Sequence, residues 1–150
     1  MIKTLSEKGI GCIPTTYSPY GINIEKKINI YELPEFKNGF FEIQDEGSQL
    51  IPLLLNPKES ALVIDACAGA GGKTLMIAML MKNKGRILAL DINESKLNEL
   101  QRRARRSQVY NIQTVNLQEN PKFIKKHFGK ADYLLLDVPC SSLGVLRRNP

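Results

Sequence analysis

The sequence has a single histidine, His127, and three widely spaced cysteines, Cys12, Cys67 and Cys140. No CxxC pair and no Cys/His cluster occurs, so a zinc site is not expected. An odd number of scattered cysteines does not make a disulfide framework, and neither a signal peptide nor a long apolar span accompanies them. The expectation is a protein of a reducing compartment, cytoplasmic and without a membrane partner. What is present is ordinary for a globular domain, with 43% hydrophobic residues in a chain of 150. A formal charge of +6 favours an anionic partner.

The first forty or so residues alternate short apolar pieces with turn formers such as Gly9, Gly11, Pro14, Pro19, Gly21 and Pro34. That pattern predicts a small strand-rich lead-in over residues 1–40, with a second domain over 41–150. From Ser48 to Leu55 a short helix is expected, ending at Asn56-Pro57. Three continuous apolar runs follow, Leu62 to Asp65, Arg86 to Asp91 and Tyr133 to Asp137, with a weaker one at Ile112 to Leu117. Continuous runs imply strands covered on both faces, as in a parallel sheet. Helices are expected over Lys73 to Lys82, Glu94 to Gln108 and Pro121 to Phe128. Alternation of strand and helix makes the fold class α/β with right-handed crossovers. In the Glu94 helix, Leu97, Leu100 and Ala104 form an apolar stripe, while Arg102, Arg103, Arg105 and Arg106 read as a solvated face or, alternatively, an RNA contact.

The densest signal is Cys67-Ala68-Gly69-Ala70-Gly71-Gly72-Lys73, between the first of these strands and a buried helix. Three glycines let backbone N–H groups and the positive helix end meet a polar ligand closely. A P-loop, GxxxxGK[ST], fails at its first glycine, where Cys67 stands, although Gly72-Lys73-Thr74 and the Leu136-Asp137 strand end keep a nucleotide hydrolase as a rival. The dinucleotide pattern GxGxxG fails too, because the third glycine falls at 72. Asp91, 20 positions beyond Gly71, sits where a carboxylate accepts ribose hydroxyls. Asp65, Asp91 and Asp137 all end parallel strands, and three carboxylates suit a cationic ligand better than a polyphosphate. S-adenosylmethionine, with a sulfonium, an ammonium and a ribose, meets each requirement.

After the last strand comes Asp137-Val138-Pro139-Cys140-Ser141-Ser142-Leu143-Gly144. A cysteine facing such a cofactor suits methylation at C5 of a pyrimidine, where a thiolate adds to C6, C5 takes the methyl group, and loss of the C5 proton expels the thiolate. A buried thiol with no chemistry is the plain alternative.

Together with Gln44-Asp45-Glu46-Gly47-Ser48-Gln49, Asp91-Ile92-Asn93 and Arg147-Arg148-Asn149-Pro150, the turn and the Pro-Cys element resemble the Fmu/Sun family of RNA cytosine-5 methyltransferases. The resemblance covers residues 40 to 150 with the motifs in family order. It implies a Rossmann-like methyltransferase fold, truncated here after the fourth strand, behind part of an RNA-binding lead-in. It also implies S-adenosylmethionine as cofactor and rRNA or tRNA as partner. Cofactor contacts are then expected from Cys67, Ala68, Gly69, Ala70, Gly71, Gly72, Lys73, Asp91, Gln118 and Asp137, and catalytic roles from Cys140, Asp137 and Lys73. In the family, the Pro-Cys cysteine assists product release and a later Thr-Cys motif carries the nucleophile. This sequence has no such motif, so the 150 residues alone are expected to be inactive. Gln118 stands near where the family carries an aspartate toward the adenine. A sheet edge left uncovered by the early end makes self-association an expectation. A non-catalytic RNA-binding module is the second rival.

Overall fold

A computed structural model describes residues 1–138. The Pro139–Cys140 element and the Arg147–Pro150 motif lie outside the described residues.

The carboxyl-terminal part is a parallel sheet of β3 (Leu62–Asp65), β4 (Arg86–Asp91), β5 (Ile112–Asn116) and β6 (Tyr133–Leu135), in the order β5-β4-β3-β6. Chain order runs outward from β3 through β4 to β5, then returns to the other side of β3 for β6. The point of reversal is the gap between the carboxyl ends of β3 and β6, where open α/β sheets bind ligands. Helices α3 (Glu46–Leu55), α4 (Gly72–Leu80), α5 (Glu94–Arg106) and α6 (Phe123–His127) are the intervening layers.

One face of the sheet is well covered. Val63, Ile87 and Leu135 pack with Ile77, Ala78 and Met81 of α4 and its end, while Ala89 packs with Leu100 and Ala104 of α5. On the opposite face, among the described residues, Leu88, Leu90 and Val115 pack with Leu62 and Ile64 of β3 and are reached from outside the sheet by Phe123 and Leu117. The expectation of two covered faces therefore holds at β4, whose residues 87–90 are buried, and not at β6, where Leu134 is 54% exposed. The short α6 does not extend over β6 among the described residues.

Element ends moved for local reasons. β6 stops at Leu135 instead of Asp137, because its partner β3 ends opposite it at Asp65. α4 runs Gly72–Leu80, not to Lys82, since Lys82 and Asn83 both take positive φ. α5 ends at Arg106, short of Gln108, which also has positive φ. α6 keeps only Phe123–His127 of the expected residues 121–128. α3 begins two residues early, at Glu46, where the Asp45 side chain accepts the Gly47 N–H at 3.0 Å as an N-cap.

The lead-in is less strand-rich than expected. Its antiparallel pair β1 (Cys12–Pro14) and β2 (Ile22–Ile24) is accompanied by α1 (Ile2–Ser6), a 3₁₀ turn at Ile30–Glu32 and α2 (Pro34–Lys37), started by Pro34 at its first position. It is fastened to α3 where the Glu46 carboxylate accepts the Tyr17 and Ser18 N–H groups, at 2.5 and 2.9 Å. These bonds hold the Glu46 carboxyl below its ordinary range. No helix of the described residues is long and apolar enough to cross a membrane.

Candidate functional site

β3 delivers the chain into the turn with its last groups still paired. Ala66 N–H donates to Leu135 O and Ala68 N–H to Leu90 O, both at 2.9 Å, so the turn is hung from both neighbouring strands. Asp65, 1% exposed, accepts the Thr74 hydroxyl at 2.6 Å, which closes the turn onto the first turn of α4. Burial pushes the Asp65 carboxyl up, against the opposing pull of the Thr74 hydroxyl, the Cys67 N–H and the Lys73 ammonium. Asp65 therefore secures the turn instead of offering a free charge to a ligand.

Gly71 caps α4 with φ 86, and the helix geometry leaves the N–H groups of Gly72 and Lys73 without an intrahelical acceptor. Those donors and the positive helix end face a cavity of about 260 Å³. Its walls are residues 67–73, Asp65, Asp137 and, from the start of α3 and the segment before it, Ser48 and Gln44. Lys73 Nζ lies 2.5 Å from the Asp137 carboxylate, bridging the carboxyl ends of β3 and β6. Asp91 is oriented by two backbone donors, Gly69 N–H to Oδ2 at 2.8 Å and Asn93 N–H to Oδ1 at 2.9 Å. Each oxygen keeps a second lone pair for a hydroxyl. Burial and the carboxylates of Asp91, Asp65 and Asp137 push the Cys67 thiol up. The local field is negative, as a cationic ligand requires.

The fold brings Cys67, Ala68, Gly69, Ala70, Gly71, Gly72, Lys73 and Asp137 to one cavity and ties Asp91 to its rim through Gly69. Gln118 is elsewhere. It is exposed just past β5, its N–H on the Asn116 side chain at 2.9 Å, and it is not part of the cavity wall. Cys140 lies outside the described residues.

Two residues with no role assigned from the sequence belong to the wall, Gln44 and Ser48. The Gln44 amide nitrogen is buried without a hydrogen-bond partner among the described residues, 3.6 Å from where a Cβ on Gly72 would stand. A buried donor left unpaired at a cavity wall is costly unless a ligand takes it. The signal was the position of Gln44 immediately before the Asp45 N-cap, which carries it to the head of α3.

Of the four arginines, Arg102 and Arg105 are exposed as a solvated face requires, and the other two are not. Arg103 and Arg106 are neither solvated nor open to RNA: both pair with Glu42, and their side chains are only 14% and 22% exposed. Arg102 pairs with Glu99 on the exposed side. The hydrolase rival loses one of its two metal ligands, because the Thr74 hydroxyl that would hold magnesium beside Asp137 is buried and spent on Asp65.

A family model described as 16S rRNA methyltransferase RsmB/F matches residues 52–150. A probable ribosomal RNA small subunit methyltransferase B of Bacillus subtilis is 40% identical over 118 residues, 77% of this chain and 26% of that protein. A tRNA (cytosine(72)-C(5))-methyltransferase of Pyrococcus horikoshii is 38% identical over 117 residues, 78% of this chain and 30% of that one. The crystal structure of a methyltransferase homologue from Pyrococcus horikoshii superposes with a TM-score of 0.85 at 31% identity, covering 98% of this chain and 48% of that chain. The chain spans about a third or less of the length of the curated relatives it matches. The sheet order and this superposition make the fold a Rossmann-like methyltransferase fold.

Proposed function

The chain belongs to the 16S rRNA methyltransferase RsmB/F family, and we propose that its protein methylates C5 of cytosine in RNA, ribosomal or transfer, with S-adenosylmethionine as donor. The observation that carries this reading is the cavity at the sheet's reversal point, where N–H donors and the Lys73–Asp137 pair converge with the Asp91 carboxylate tied to its rim. When bound, S-adenosylmethionine supplies an electrophilic methyl group.

The residues present fit such a group. Asp91, already oriented by Gly69 and Asn93, accepts the ribose hydroxyls. The Gly72 and Lys73 N–H groups and the unpaired Gln44 amide meet the carboxylate end. The negative field of Asp91 and Asp137 favours the ammonium and sulfonium. Asp137, 44% exposed at the cavity mouth and held by Lys73, is available to the target base. Cys140 is assigned to release of the methylated product. The lead-in supplies RNA contact: Tyr17 and Tyr20 are 73% and 56% exposed on the loop bonded to α3, and aromatic faces there suit an unstacked base. Such a protein works in the cytoplasm, and the edge of β6 that is unpaired among the described residues is a route to self-association.

The test is calorimetry with S-adenosylhomocysteine, followed by methyl transfer from labelled cofactor to RNA by the full-length protein and digestion of the product. Binding and label in 5-methylcytosine support the reading. Magnesium-dependent ATP binding without S-adenosylhomocysteine binding overturns it.

A further inference from the structure

The cofactor turn is fastened at several backbone groups, and one fastening comes from far away. Gly71 N–H donates to Ala68 O at 2.9 Å, closing the turn on itself. On the other side of the same rigid peptide unit, Ala70 O accepts a hydrogen bond of 2.7 Å from an Arg103 amino group. The rest of that guanidinium is turned to Glu42, with Nε at 3.1 Å and its second amino group at 3.0 Å from Oε2. Glu42 also takes the Ser107 hydroxyl at 3.1 Å and the Arg106 guanidinium. Arg106 in turn lies over the Phe36 ring, 3.9 Å from its centroid, and its polar partner is Glu42, not the turn.

We propose that Arg103 is a positioning residue for the cofactor turn, aimed by Glu42 and setting the orientation of the Ala70–Gly71 peptide. The proposal rests on the cavity being the cofactor site. A peptide that precedes glycine is easily flipped, because Gly71 accepts the new φ at little cost. Flipping it swings the Ala70 carbonyl from Arg103 toward the ligand, putting an acceptor where the neighbouring donors meet an anionic group. Only a planar fork with several N–H donors addresses a carbonyl on one edge and a carboxylate on the other. A lysine keeps the ion pair and loses the second contact. Arg106 is the internal control, sharing Glu42 as its polar partner.

The experiment compares Arg103→Ala, Arg103→Lys and Arg106→Ala in the full-length protein. It reads S-adenosylhomocysteine affinity by calorimetry and amide exchange at Gly71 by mass spectrometry or NMR. Both Arg103 variants are expected to weaken binding at least tenfold and to speed Gly71 exchange at least tenfold. Arg106→Ala is expected to lower the unfolding midpoint while leaving affinity within twofold. Unchanged binding and exchange in Arg103→Ala overturn the proposal. So does full restoration by Arg103→Lys, or an equal loss of affinity in Arg106→Ala, which would mark general loosening. Should Arg103→Ala not fold, Arg103→Lys carries the test. If the unsubstituted protein binds no S-adenosylhomocysteine, the cofactor reading fails, and Gly71 exchange alone decides the role of Arg103.

Discussion

Leu100 fills the space that a side chain on Gly71 would need: a Cβ built there lies 2.4 Å from Leu100 Cγ. Leu100 is fully buried in the cluster that seats α5 on the sheet, so it has no room to withdraw. With φ 86, Gly71 also holds a backbone conformation that side chains resist. Gly71→Ala should therefore cost about 2–4 kcal/mol, strain and overpacking together. Gly69→Ala, where nothing stands within 4 Å, should cost only about 1 kcal/mol. Urea unfolding of the two variants reads the difference, and equal losses would refute the packing account.

Gln44 tests the unpaired donor. Replacing it with the similarly shaped leucine removes a buried amide nitrogen that bonds nothing among the described residues, so stability should stay level or rise by up to about 1 kcal/mol. Affinity for S-adenosylhomocysteine should fall about tenfold, the cost of one hydrogen bond to a charged group. A variant that binds as well as the parent removes Gln44 from the site.

Asp65 gives a pH dependence of definite sign. Its folded pKa is raised above the ordinary value of 3.8, chiefly by burial, so the folded state holds the proton more tightly than the unfolded chain. The associated stability is fully present below pH 3.8 and is lost as the pH rises through the folded pKa. Asp65→Asn keeps an acceptor for Thr74 and abolishes that loss. Relative to the parent, the variant should gain stability from about pH 4 up to the folded pKa of Asp65 and hold that gain above it, in urea unfolding at several pH values. A difference that does not change with pH contradicts the assignment.

Cys67 should be a slow nucleophile. Its thiol is pushed up by burial and by the carboxylates of Asp91, Asp65 and Asp137, which leaves little thiolate at pH 7.5. Alkylation by iodoacetamide, followed by peptide mass spectrometry, should run at least about tenfold slower than for a free cysteine. A rate matching the free amino acid would mean the carboxylates do not face the sulfur.

Much of the site was legible because it is local in sequence. The strands Leu62–Asp65 and Arg86–Asp91 were readable as apolar runs ending in aspartate, and a glycine-rich segment between strand and helix can only turn. The motif Gln44–Gln49 was visible as a pattern, but the unpaired amide of Gln44 was not, since it depends on how α3 lies against Gly72. Gln118 was assigned because it stands near the family's adenine-facing aspartate, and the chain past β5 leaves it exposed, outside the cavity wall.

The arginines mark the boundary most clearly. Hydrophobic periodicity fixed which stripe of α5 faces the core, because burial of Leu97, Leu100 and Ala104 follows from spacing alone. It could not separate Arg103 and Arg106, three apart and beside that stripe, from Arg102 and Arg105 on the solvent side. Their partner, Glu42, is 61 residues from Arg103 in sequence, and only the docking of the lead-in on α5 brings it near. A carboxylate 3.0 Å away turns a charge that composition assigns to solvent or RNA into a bridge between the lead-in and the glycine-rich turn. Class of fold and cofactor followed from the sequence because backbone chemistry there is set by neighbours in the chain. The wiring of the turn was decided by tertiary structure, because electrostatic partners are chosen by distance in space.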